Sequence, residues 1–233
     1  LEEVFFRQVM CDNVEGDDLT AYYVKNKKEN EKIIIVSSDR DLAQLISDSV
    51  SVYIPKLKKF ITPSNSKELL GCPSCNILLK KQICGDASDN IAGIKGLGEA
   101  TLYKVFPRIL EEKVGLNDFL EEAKKINEDR KNNKKKPLKC LENALNRITD
   151  GSQGNDIYNI NEKIIDLSSP LLTDEAISEL DYIMESPIDP SGRSFENIYK
   201  IVVENGISDL INDTHFSSFF SPFNSIVDEE KKF

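Results

Sequence analysis

Short apolar stretches punctuated by polar residues run along the first part of the chain. Residues 17–27 set Leu19, Tyr22, Tyr23 and Val24 at helical spacing behind Asp17 and Asp18. Acidic residues in a first turn suit the positive end of a helix dipole, so a helix is predicted there. Residues 32–37, Lys-Ile-Ile-Ile-Val-Ser, form a continuous β-branched run, the pattern of a strand buried on both faces. Residues 39–46 follow at once, with Leu42, Leu45 and Ile46 on one helical face. The order helix, buried strand, helix predicts an α/β layer with a mostly parallel sheet. Residues 51–55 and 59–63 predict two more strands, joined as a hairpin by the basic turn Lys56-Leu57-Lys58.

From Pro73 the apolar period becomes helical. Helices are predicted over 75–83 and 99–106, with a polar, Gly-containing turn between them, and then over 109–128, 138–150, 173–184 and 194–204. Pro187 and Pro190 mark a turn, and Gly206 is expected to end the last helix. Residues 124–139 carry Lys131, Lys134, Lys135 and Lys136 without apolar periodicity, which reads as a basic loop or helix end. There is no internal repeat. The division expected is an α/β part over 1–70 and a helical part over 71–233.

Composition narrows the class. A chain of 233 residues, 39% hydrophobic, can bury a real core. The longest aliphatic run, Ile33 to Val36, is far short of the ~20 residues a bilayer span needs, and no signal-peptide pattern opens the chain. Five irregularly spaced Cys fit reduced thiols, hence a cytoplasmic protein. Cys72-Pro-Ser-Cys75 lacks the second ligand pair a structural zinc site needs, because His215 is the one histidine. A net charge of −10 argues at first against a nucleic-acid partner. The charge map alters that inference: residues 54–140 hold 18 basic and 11 acidic side chains, net +7, between segments of net −5 and −12. A solvated face explains such a run equally well, so chemistry has to decide.

Three acidic clusters stand out: Glu15-Gly16-Asp17-Asp18, Ser38-Asp39-Arg40-Asp41 and Gly85-Asp86-Ala87-Ser88-Asp89. Asp39 and Asp41 follow directly on the predicted buried strand, and ligands bind at the carboxyl ends of parallel strands. Paired carboxylates there repel unless a cation or protons neutralise them, and Mg²⁺ takes oxygen ligands. Helix capping by Asp17 or Asp39 is the plainer alternative. Gly93, Gly96 and Gly98 form a Gly-x-x-Gly-x-Gly turn that opens the helix from Glu99, with Lys95 at its tip. Glycine lets a backbone approach a ligand closely, and a helix start offers N–H groups to phosphate. A dinucleotide-binding fingerprint should follow a strand, and this turn follows a helical segment.

Taken in order, these strings resemble the flap endonuclease and 5′→3′ exonuclease family. The run Gly85-Asp86, Asp89-Asn90-Ile91, Gly93, Gly96, Gly98 is similar to that family's helix–three-turn–helix signature, here spanning about residues 74–106. The clusters at Glu15–Asp18 and Ser37–Leu42 resemble its two preceding acidic motifs in order and spacing. The segments from Tyr53-Ile-Pro-Lys onward look most like the T-even phage ribonuclease H branch. The resemblance implies a Rossmann/PIN-like nuclease core, of which residues 1–70 would be the C-terminal part with its first strands missing. The family's opening strand and early Asp have no counterpart before Glu15, and the chain opens at Leu1; an N-terminally incomplete protein is therefore expected.

What the resemblance implies for chemistry is Mg²⁺-dependent, two-metal phosphodiester hydrolysis at 5′ ends or flaps, with Mn²⁺ as a substitute ion, serving RNA-primer removal in phage replication. Asp17, Asp39 and Asp41 would be catalytic. Glu15, Asp17, Asp39 and Asp41 would hold one part of the metal site, and Asp86 and Asp89 the other. Gly93, Gly96 and Gly98 would lay backbone against duplex phosphates, with a K⁺ ion at the hairpin. Lys80, Lys81, Lys95 and Lys104 would add charge, and Thr101 a hydroxyl. Partners implied are duplex or flap DNA, RNA–DNA hybrids and a single-stranded DNA-binding protein, the chain itself being a monomer with no membrane contact. Phe216, Phe219 and Phe220 resemble the core of sliding-clamp-binding peptides, without the usual upstream Gln; packing onto the helical part is the alternative. A non-catalytic duplex-binding module is the competing function.

Overall fold

The run Ile33–Val36 does form a strand, β1, followed by β2 (Val50–Ile54) and β3 (Lys59–Ile61). They make one sheet in the order β1-β2-β3, β1 parallel to β2 and β2 antiparallel to β3. The computed structural model describes residues 7–149, 157–186 and 195–207. Lys56-Leu57-Lys58 makes the hairpin turn as the sequence predicts, and Tyr53 faces Phe60 across it with ring centroids 4.9 Å apart. Helix α1 (Gly16–Lys25) precedes the sheet, and Ala21 packs its buried face beneath it.

β1 is not buried on both faces. Ile35 is buried, whereas Ile34 and Val36 are 58% and 66% exposed. The continuous aliphatic run hides an alternation of environments, because β1 is an edge strand of the described sheet and, among the described residues, its face with Ile34 and Val36 is left open. Residues 39–46 are also corrected. They form a 3-10 turn over Asp41–Leu45 rather than an α-helix, since two side-chain-to-backbone hydrogen bonds at residues 37–41 hold the entry in a tight turn.

The rest is helical: α2 (Ser66–Leu70), α3 (Ile77–Cys84), α4 (Glu99–Val105), α5 (Leu116–Asn132), α6 (Lys139–Leu145), α7 (Ile157–Ile165), α8 (Asp174–Glu185) and α9 (Phe195–Glu204). The helix expected over 109–128 is broken, with a 3-10 turn at Pro107–Leu110 and α5 starting only after Gly115. Asn76 causes the break. It is fully buried, donates to the carbonyls of Ile109 (2.8 Å) and Glu112 (2.7 Å), and accepts from the Val114 N–H at 3.1 Å. The Asp118 carboxylate then accepts from the Gly115 N–H at 2.8 Å and restarts the helix. The helix expected over 138–150 stops at Leu145, because the segment after it pairs with the glycine turn through Lys95 N–H to Ile148 O, 2.9 Å.

Two apolar clusters hold residues 15–171. One gathers Ile35, Val52, Ile54 and Ile61 of the sheet with Leu42, Leu70 and Ile77. The other joins Ile83, Ile94, Leu97, Leu102, Phe106, Phe119 and Leu141. Each such Leu or Ile, fully buried, contributes about 1.5–3 kcal/mol. Phe106 and Phe119 meet edge to face at 5.5 Å and 70°. Tyr103 and Leu110 pack against both clusters.

Residues Glu15–Leu171 make one compact unit, and the flanking segments another. In the second, Thr173 caps α8 by accepting from the Ala176 N–H at 3.2 Å, and the Arg7 guanidinium donates to the carbonyls of Ile183 and Ser186 at the helix end. Gly206 closes α9 as expected, with its N–H on Val203 O and that of Ile207 on Val202 O. Among the described residues no helix is long and apolar enough to cross a membrane.

Candidate metal centre

The carboxyl end of β1 delivers its acidic residues through two local hydrogen bonds. Ser37 Oγ accepts from the Asp39 N–H at 3.0 Å, and Asp39 Oδ1 accepts from the Asp41 N–H at 2.8 Å. The capping alternative is thus partly realised by Asp39, which holds the turn that aims Asp41. Asp17 does not cap: Glu15 occupies the N-cap position of α1, and no side-chain hydrogen bond forms there.

A second loop delivers Asp86 and Asp89. After α3 the chain closes a small ring, Asp86 N–H to Ile91 O at 2.9 Å and Ile91 N–H to Asp86 O at 2.8 Å. Within it Asp86 accepts from the Ser88 N–H at 2.9 Å and from the Ser88 hydroxyl, and Asn90 takes φ 57°. The ring is seated by Gly93, whose backbone lies against the carbonyl of Cys84: a Cβ at Gly93 would fall well under 3.0 Å from it. Asn161 of α7 clamps the loop from the other side, donating to Gln82 O (3.2 Å) and Ala92 O (2.9 Å). Asn143 of α6 holds the next turn by donating to Lys95 O at 2.9 Å.

These two deliveries converge. Asp41, Asp86 and Asp89 each offer a carboxylate oxygen, all within 4.8 Å of one another, a group of hard donors suited to a divalent ion. They line an open cleft of about 520 Å³ with Asp39, Lys80, Lys81 and Glu99. A smaller cleft of about 290 Å³ is lined by Glu15, Asp17, Asp18, Asp39, Asp41 and Asp89, with Ile91 and Ile164 beside them. Asp39, Asp41 and Asp89 border both. All six sequence-predicted carboxylates therefore lie on these adjoining clefts, with Asp41, Asp86 and Asp89 close enough to share an ion.

Burial and crowding show in their proton affinities. Burial, then Asp39, Asp41 and the other neighbouring carboxylates, lift Asp17 to about 6. Burial also lifts Asp41, against the pull of the Lys81 ammonium. Burial would raise Asp86 too, but hydrogen bonds from Lys81 and Ser88 hold it well below the usual carboxylate range. Burial would lower Lys81, and its contacts with Asp41 and Asp86 raise it instead. Asp17 carries a pH signature. Its folded value lies above the unfolded 3.8, so the stability it lends is complete below pH 3.8 and lost as pH rises through about 6. With metal chelated, the wild-type urea midpoint is expected to fall between pH 4 and 6 relative to that of Asp17→Asn. Parallel profiles for the two chains would refute this assignment.

The predicted phosphate contacts divide. Lys95, Gly96, Gly98 and Lys104 are exposed on the turn and on α4, Thr101 and Gly93 are half-buried, and none of them lines either cleft. Ile94 and Leu97 anchor that turn in the core. Lys80 is engaged by Glu99 at 3.0 Å. Lys81 turns inward onto Asp41 and Asp86, with Asp89 at 3.7 Å, which its place in a Lys-Lys pair did not foretell. Asn143 and Asn161, which fix the loops, were also missed; the available signal was an Asn on the apolar face of an otherwise aliphatic helix. Phe216, Phe219, Phe220 and His215 lie outside the described residues.

Comparison with known proteins bears on the same elements. Residues 1–71 match the family model of the 5′-3′ exonuclease N-terminal resolvase-like domain. The chain is 34% identical over 122 residues to the thermostable DNA polymerase I of Thermus caldophilus, covering 52% of this chain and 14% of that one. It is 34% identical over 93 residues to the 5′-3′ exonuclease of Mycoplasma pneumoniae, 37% of this chain and 32% of that one. The chain thus spans well under half the length of these relatives. In fold it is similar to T5 5′-exonuclease with divalent zinc bound (TM-score 0.62, 18% identity, 79% of this chain and 64% of that one). A T5 5′-exonuclease mutant gives TM-score 0.58 at 21% identity, over 77% of this chain and 69% of that one. Residues 1–71 thus match a 5′-3′ exonuclease domain, and the chain is similar in sequence to 5′-3′ exonucleases and DNA polymerases I and in fold to T5 5′-exonuclease.

Proposed function

We propose that the chain belongs to a divalent-metal-dependent, structure-specific 5′ nuclease that hydrolyses phosphodiester bonds near 5′ ends or flaps of duplex DNA and RNA–DNA hybrids. The observation that carries this is the meeting of Asp41, Asp86 and Asp89 within 4.8 Å, from two separate parts of the chain. A module that only bound duplex would gain nothing from crowded anions beside phosphate. The donor set fits Mg²⁺, being oxygen throughout, and the ammonium of Lys81 lying among the carboxylates marks the place as one that draws cations.

In this reading Asp86 and Asp89 hold one ion together with Asp41, while Glu15, Asp17 and Asp39 hold or orient a second at the adjoining cleft. Bound there, divalent ions lower the pKa of an attacking water and neutralise the leaving oxygen. The exposed turn at Lys95, Gly96 and Gly98 sets backbone against duplex phosphates, and Lys104 and Thr101 add contacts that carry no sequence information. Residues up to 70 supply the first carboxylates, and the helical part supplies the remainder and the grip on duplex. A solved structure of a T5 flap endonuclease variant is similar in fold to this chain (TM-score 0.56, 19% identity, 76% of this chain and 62% of that one). It is a pseudo-enzyme-product complex with DNA and metal ions, which supports the same pairing here. The primer-removal and T-even phage parts of the reading rest on the sequence resemblance.

The test is cleavage of 5′-labelled flap and duplex substrates. With Mg²⁺ short 5′ products are expected; EDTA should bring cleavage to background, and Mg²⁺ or Mn²⁺ should restore it. Duplex binding without cleavage at any ion concentration would overturn the enzymatic reading in favour of a binding module.

A further inference from the structure

Two consecutive lysines lie in the middle of α3 and neither points free into solvent. Lys80 pairs with Glu99 at 3.0 Å. Lys81, its side chain 12% exposed, touches the carboxylates of Asp41 and Asp86 and lies 3.7 Å from Asp89. These are the same three side chains that form the candidate ion site. An ammonium has three N–H donors and no acceptor, so it can satisfy one oxygen from each carboxylate. A divalent ion would need the same lone pairs at shorter range. The two cations cannot use them together.

We propose that Lys81 is a resident placeholder cation: it holds Asp41, Asp86 and Asp89 together while no divalent ion is bound, and it has to leave when one enters. This rests on the metal reading above and adds to it a competitor built into the chain. Without a cation, the carboxylates brought from the end of β1 and from the loop after α3 would repel across the cleft. With Lys81 between them, the turn at Asp41 and the ring at Asp86 stay in register. Metal entry is then an exchange of one cation for another. A compact charge on a four-carbon stem suits that exchange, whereas the planar fork of Arg would bind its carboxylates bidentately and release them less readily.

A purely structural ion pair makes the opposite forecast from a placeholder. If Lys81 only braces the site, its removal loosens the carboxylates and metal affinity stays level or falls. If it competes, affinity rises. Calorimetric titration of the chain with Mn²⁺, without DNA, is expected to show about tenfold tighter binding to Lys81→Met than to wild type. An equal or weaker affinity overturns the placeholder. Wild type gives a second readout that needs no variant: amine labelling by reductive methylation, read by mass spectrometry with and without Mg²⁺. Lys81 should be protected in the metal-free chain and become several-fold more reactive with Mg²⁺, while Lys80 does not change. Unchanged or reduced reactivity of Lys81 overturns the proposal even if Lys81→Met fails to fold. The two readings separate cleanly. Mn²⁺ binding that Asp41→Asn abolishes but Lys81→Met does not tighten removes the placeholder alone. No Mn²⁺ binding to any of these chains removes the metal reading as well.

Discussion

A chain carrying Asp39→Ala and Asp41→Ala is expected to lose Mg²⁺-dependent cleavage on the order of 10³-fold or more. Asp41 borders both clefts, so no neighbour can take over its donor oxygens. Asp39 contributes in two ways, as a carboxylate on the same clefts and as the acceptor that fixes the Asp41 N–H. The change relieves repulsion around the half-buried Asp17 but also removes the acceptor that fixes the turn and one partner of Lys81, so the urea midpoint of the double variant is measured beside its cleavage. Duplex binding in EDTA, measured by fluorescence anisotropy, should stay within about threefold of wild type, since phosphate affinity comes from cations elsewhere. Asp48→Asn, an exposed carboxylate on neither cleft, serves as the control. Undiminished cleavage by the double variant would sink the assignment of these residues.

The second large effect is on folding. A methyl at Gly93 would collide with the Cys84–Gly85 peptide group, its carbonyl and its nitrogen, so no side chain can swing aside to admit it. Gly93→Ala must therefore open the hydrogen bond from Ile94 N–H to Ile83 O, 2.8 Å, and with it the seat of the Asp86 ring. The expected cost exceeds about 4 kcal/mol, in the range reserved for broken backbone packing, and appears as a large drop in urea midpoint. Divalent-ion binding should be lost with it, because Asp86 and Asp89 hang from that loop. Gly98→Ala is the counterpart. A Cβ there meets nothing within 4 Å and φ is −74°, so stability should change by less than about 1 kcal/mol. Under the proposed reading the same methyl should nonetheless weaken duplex binding. Comparable destabilisation by both substitutions would mean that the turn is not seated as described.

Much of this architecture was legible in the chain because local signals and tertiary structure agree. The hairpin around Lys56-Leu57-Lys58, α1 with its acidic first turn, and the pair α3 and α4 around the glycine turn all fall where periodicity and punctuation place them. The acidic clusters could be read as one site because their spacing matches a known order of motifs. Where the reading failed, partners distant in sequence decide the outcome. The edge position of β1 depends on what lies beside it, which an aliphatic tetrapeptide does not encode. The break before α5 is made by Asn76, almost forty positions upstream of Val114. Helix α7, rich in Asn and β-branched residues of modest helix propensity, is helical because it packs on α3, and it went unpredicted. The inward turn of Lys81 has the same origin, for a lysine beside another lysine gives no sign of which one faces three carboxylates.

The edge strand has a consequence for how the chain behaves in solution. Ile33 and Ser37 direct their N–H groups to β2, so by alternation those of Ile34 and Val36 face outward, beside two exposed aliphatic side chains. Such an edge is a template for intermolecular strand pairing. The net charge of −10 opposes it by keeping molecules apart, but that repulsion reaches only about 10 Å at 0.1 M salt and about 3 Å at 1 M. Self-association through β1 is therefore expected to rise with ionic strength: light scattering should grow from dilute buffer to concentrated salt.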